Sequence, residues 1–164
     1  MGLTETKQFI NDIYKTINAR LSKLIDKLNE NAGYDIQVDY FPHHYYKSTD
    51  GLVLEEYPIP ILTIDGIIEV GIDITHMYVE LYLTKEKAKN IDFRSIERPF
   101  DLYAEDELFE DVYNPTMNKN DILDNLELSQ YEDFRLQFAF EDETQSEDDK
   151  IEMVVNLVEV LSFL

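Results

Sequence analysis

Ile61-Leu62-Thr63-Ile64-Asp65-Gly66-Ile67-Ile68-Glu69-Val70-Gly71-Ile72 organises the rest of the chain. Asp-Gly between two apolar runs is the strongest short-range signal for a β-hairpin, because both residues tolerate the positive φ that a tight turn requires. An antiparallel sheet therefore starts here. Downstream, apolar residues occupy even positions at Ile68, Val70, Ile72 and Ile74, then odd ones at Met77, Val79, Leu81 and Leu83. Side chains alternate strictly along a strand, so this switch of parity calls for a bulge or a tight turn near Thr75-His76.

Upstream, an extended stretch runs from Leu52 to Ile64 and contains Pro58 and Pro60. Proline lacks an amide donor, which predicts an edge position. Tyr34 to Phe41 alternates as a half-buried strand that Pro42 ends or marks as an edge. Before it, Phe9, Ile10, Ile13, Ile17, Leu21, Leu24, Ile25 and Leu28 recur every three or four residues. That spacing predicts a long amphipathic helix over about 4–31, stopped at Asn31-Ala32-Gly33. Its polar face carries Lys7, Lys15, Arg20, Lys23 and Lys27.

Residues 85–128 form an irregular acidic insertion with short helices expected at Lys85 to Asn90, Ala104 to Val112 and Asp121 to Leu126. Phe134, Leu136, Phe138 and Phe140 then alternate as a final strand. Ser146-Glu147-Asp148-Asp149 caps a last helix, with its acids against the positive end of the helix dipole. In that helix Glu152, Asn156, Glu159 and Ser162 make one polar stripe and the remainder is apolar. Such a helix is either sandwiched in the interior or completed by another chain, as in a homodimer. The expected fold is α+β: a mainly antiparallel sheet with the long N-terminal helix and the apolar C-terminal helix packed on one face, in a single domain over 1–164.

Charge is distributed unevenly. The chain's net charge is −21; the residues from Asp101 onward hold 19 carboxylates against Lys119, Arg135 and Lys150, a local net charge of −16. Such a field repels nucleic acid and anionic lipid and attracts basic protein surfaces. Twenty Tyr and Phe residues still supply a packed core. The absence of cysteine removes disulfides, thiolate metal sites and thiol nucleophiles. The N-terminus has no basic stretch followed by an apolar one, and the apolar run 151–164 is too short to cross a bilayer, so a cytoplasmic protein is expected. Richness in Asn, Lys, Ile and Asp suggests an AT-rich bacterial or phage genome.

No motif for catalysis is complete. Gly-x-Ser-x-Gly is missing, and Lys47-Ser48-Thr49 lacks the glycines of a phosphate loop. Adjacent His43 and His44 point to opposite faces of an extended segment, which argues against a shared metal ion. The acidic clusters lack the glycine of a calcium loop, since none follows Gly71. No enzyme activity, cofactor or metal is therefore expected.

The expected role is binding. Acids repeating along strands and helix turns approximate the charge spacing of a nucleic-acid strand, so the acidic half reads as a decoy for the basic surface of a partner protein, such as a nuclease, a restriction or CRISPR effector, or a toxin. The expected contact set is Glu105, Asp106, Glu107, Glu110, Asp111, Glu141, Asp142 and Glu143, with Tyr45 and Tyr46 as aromatic anchors. Neither nucleic acid nor membrane is an expected partner. Architecturally, a small acidic α+β chain with a long first helix and an apolar last helix also resembles the dimeric chaperones that hold secretion effectors. That resemblance implies an adaptor that uses the last helix and the Tyr45-Tyr46 edge.

Overall fold

The computed structural model describes residues 3–31, 33–43, 57–73, 76–91, 96–104, 107–113 and 132–164. Helix α1 spans Leu3–Asn31 and leads into strands β1 (Ile36–His43), β2 (Tyr57–Ile64), β3 (Ile68–Ile72) and β4 (Met77–Thr84). Helix α2 (Lys85–Asn90), strands β5 (Phe100–Ala104), β6 (Glu107–Tyr113) and β7 (Asp133–Phe140), and helix α3 (Glu147–Ser162) complete the chain. All strand pairs are antiparallel, in the order β1-β2-β3-β4-β7-β5-β6. The fold is α+β. The chain builds a four-strand meander, crosses over through α2, and inserts β7 beside β4.

Asp65 and Gly66 take φ values of 50° and 73°, and Ile67 N donates to Ile64 O at 3.2 Å. The hairpin forms where the Asp-Gly pair predicts it. The parity switch is a tight turn: Ile72 pairs with Met77, and Asp73 N donates to His76 O at 2.9 Å. Even positions of β3 and odd positions of β4 thereby reach the same face.

That face is the core. Ile36, Ile64, Ile68, Leu81, Leu136 and Leu102 stand in one row across six strands, and Leu62, Val70, Val79 and Phe138 form the next. Against them α1 places Ile13, Ile17, Leu21, Leu24 and Leu28, and α3 places Ile151, Val154, Val155, Leu157, Val158 and Leu161, all buried in one cluster. Most of α3's apolar circumference is thus consumed inside the chain.

Three sequence expectations are corrected. Pro58 and Pro60 lie on β2, an interior strand between β1 and β3. Because Asp65 N bonds Asp35 O on the β1 side, odd residues of β2 bond β1 and even residues point toward β3. Pairing with β3 covers Ile61 to Ile64 alone, so neither proline interrupts a ladder. In place of the helix expected at Ala104 to Val112, Ala104 ends β5 and Glu107 onward forms β6, where Phe109, Val112 and Tyr113 favour a strand and β5 supplies the pairing. Phe9, assigned to the buried face of α1, is 47% exposed. At about 43 Å a 29-residue helix outruns strands of eight residues or fewer, and burial starts at Ile13 among the described side chains. The helix expected at Asp121 to Leu126 lies outside the described residues.

Candidate interaction surface

The acidic half of the chain supplies β5, β6, β7 and α3. Its three strands are neighbours at one end of the sheet, with β6 as the edge. The strands of the acidic half are therefore gathered in space, while α3 packs with α1 and β4. Glu107, Glu110 and Asp111 belong to β6, Asp101 to β5 and Asp133 to β7. Glu141, Asp142 and Glu143 are exposed in the turn between β7 and α3. Glu105, Asp106, Tyr45 and Tyr46 lie outside the described residues.

The expected contact acids do not fall into one compact patch. Ala104 pairs with both Glu107 and Phe134, which puts the start of β6 level with the start of β7 across β5, whereas Glu141 follows the other end of β7. Phe134 and Phe140 are six steps apart, about 20 Å along a strand. The acids form an elongated margin rather than a knot. At one end, Asp142 Oδ1 accepts from Thr144 N (2.9 Å) and Thr144 Oγ1 (2.6 Å). The Thr144 hydroxyl and amide hold this carboxyl below the usual carboxylate range, with Lys150 adding to the effect.

Part of the negative charge is cancelled by α1. Arg20 Nε donates to Glu147 Oε2 at 2.6 Å while its other arm donates to Asp73 O, and Lys23 Nζ meets Asp148 Oδ1 at 2.9 Å. The Lys23 contact draws Asp148 down and raises Lys23 in turn. The basic stripe of α1 is thus turned partly toward the first turn of α3.

The sheet face opposite the helices carries a polar row that the sequence reading missed. Gln37, Thr63, Glu69, Glu80, Gln137 and Asp101 stand in register across six strands. Glu80 is buried, 5% exposed. Its Oε1 accepts from Gln137 Nε2 at 2.6 Å, and its Oε2 accepts from Tyr82 Oη at 2.9 Å and faces Arg135 at 3.7 Å. The Arg135 guanidinium also stacks on Tyr103, 4.6 Å from the ring centroid. Beside this row, Tyr78 lies over Gly71, where a Cβ would meet the ring at 2.0 Å. The alternation Tyr78, Glu80, Tyr82 between buried Met77, Val79, Leu81 and Leu83 was the available signal: an acid flanked by aromatic residues on the second face of a central strand.

A shallow apolar groove follows α3. Ile96, Glu97, Arg98, Met153, Asn156, Leu157 and Val160 line it. Arg98 donates to Ala139 O at 2.7 Å and covers the Phe140 ring at 3.9 Å, and burial lowers its pKa. Val160, Phe163 and Leu164 are exposed near the end of α3. Among the described residues no three His, Cys, Asp or Glu side chains are grouped to hold a metal ion, and no helix is long and apolar enough to cross a membrane.

The chain is similar in fold to a conserved hypothetical protein from Pyrococcus furiosus, at 22% identity and a TM-score of 0.56, over 96% of this chain and 99% of that one. No family model and no curated protein matches the chain. At that identity the likeness carries the architecture and not a function.

Proposed function

We propose that this protein works by binding, without catalysis, and that its acidic sheet edge docks on the basic nucleic-acid-binding surface of a partner protein in the cytoplasm. One observation carries the reading: β7, β5 and β6, supplied by the acidic half of the chain, are adjacent in the sheet. Glu107, Glu110 and Asp111 follow one another along β6, and Asp101 and Asp133 lie on the neighbouring β5 and β7, so acids are spread over all three strands. The partner is a nuclease-like, restriction-type or toxin-type protein with clustered Lys and Arg.

The test is retention of duplex-binding proteins from a bacterial extract on immobilised protein, with competing duplex DNA and a salt series. Retention should fall steeply with salt, yield to DNA, and vanish in the E141K/D142K/E143K variant while its circular dichroism stays native. Retention insensitive to both salt and the triple variant overturns the proposal. A second reading, an adaptor that grips its partner through the α3 groove, draws on the exposed Val160 and Phe163. It predicts salt-tolerant binding that is lost in V160K and kept in the triple variant.

A further inference from the structure

Glu69 and Glu80 stand directly opposite each other on β3 and β4, on the face away from the helices. Carboxylates in that relation, with Cβ atoms about 5 Å apart, repel when both are ionised. The Tyr82 hydroxyl lies 3.1 Å from Glu69 Oε2 and 2.9 Å from Glu80 Oε2. A neutral phenol carries one hydrogen and can donate to one carboxylate. A hydrogen carried by one of the two carboxyl groups gives the second short oxygen–oxygen contact a donor of its own.

Glu80 is the better-supported anion. Gln137 donates to it at 2.6 Å and the Arg135 guanidinium stands 3.7 Å away. The surroundings of Glu69 disfavour charge. The titratable and charged groups around it are Asp39 from β1, Glu80, Tyr82 and Tyr78 from β4, and Arg135 from β7. From β2 its cross-strand neighbour is the neutral Thr63.

We propose that a protonated Glu69 carboxyl donates to the Tyr82 hydroxyl, which donates in turn to Glu80, making a proton-dependent latch between β3 and β4. Each donor in such a chain polarises the next and strengthens it. Burial raises the Glu69 pKa, Glu80 and Asp39 push the same way, and the Tyr82 hydroxyl and Arg135 oppose them. Because the folded value is raised, the latch contributes fully below the ordinary glutamate value of about 4.3, and its contribution is lost as pH rises through the folded value. Above it, a hydrogen bond is replaced by like-charge repulsion across the ladder.

Carboxyl-carbon NMR titration of the full-length protein tests this directly. The Glu69 carboxyl carbon should titrate above the ordinary glutamate value of about 4.3. A Glu69 midpoint at or below that ordinary value overturns the assignment. In parallel, E69Q keeps a donor toward Tyr82 but cannot ionise. Its melting temperature should match the parent protein in acid and exceed it increasingly as pH rises through the Glu69 titration. A difference between the two that does not change with pH overturns the latch as well.

Discussion

Gly71 sits in the middle of a strand with no turn to make, and the Tyr78 ring occupies the space its side chain would need. Gly71→Ala should cost about 1–3 kcal/mol through the displaced ring. The cost should largely disappear when Tyr78 is Ala, which a double-mutant cycle by urea unfolding reads directly. Tyr78 itself is pushed up to about 12, chiefly by burial and then by the nearby Glu80, Glu69 and Asp73 carboxylates. A phenol with a raised folded value supports the fold below its ordinary pKa of about 10, and that support is lost as pH climbs toward 12. Unfolding followed by tyrosinate absorbance should therefore show a loss of stability in that window, smaller in Tyr78→Phe, where the raised Tyr82 phenol still contributes. These two residues were unreadable as a pair in sequence, because they meet across a ladder and not along the chain.

At the scale of elements, α1 and α3 are joined by two ion pairs of unequal weight. The Arg20 side chain is 12% exposed and also bonds a turn carbonyl, whereas the Lys23 and Asp148 side chains are 59% and 79% exposed. Arg20→Ala should destabilise by about 1–3 kcal/mol, since it removes the partly buried guanidinium and leaves the carbonyl of the buried Asp73 without this donor. Lys23→Ala should change little, and less still in high salt. Comparable losses for both variants in denaturant titrations would contradict this ranking. Ser146 accepts from Asp149 N at 3.2 Å as the cap of α3, so Ser146→Ala should cost about 1 kcal/mol. That cap was legible, because capping is local chemistry written in four consecutive residues. The conformation of β6 was not, because its Phe109, Val112 and Tyr113 favour a strand while its acids break the alternation, and pairing with β5 settles the outcome.

For the whole molecule, a net charge of −21 loads the compact state with self-repulsion. Raising salt from a few millimolar to roughly half-molar shortens the Debye length from tens of ångströms to a few, so the melting temperature should rise across that range. A falling melting temperature would mean that ion pairs such as Arg20–Glu147 outweigh the repulsion. Local pattern alone carried the α+β class, both long helices, the Asp65-Gly66 hairpin and the core-facing positions of β3, β4 and β7, since period, turn chemistry and capping act between near neighbours. Tertiary structure alone decided that β7 inserts beside β4, that Pro58 and Pro60 are harmless on an interior strand, that α1 neutralises the first turn of α3, and that Glu69, Tyr82 and Glu80 meet on one face. Those outcomes depend on register and strand order, which are set by contacts between residues far apart in the chain, where no local pattern records the partner.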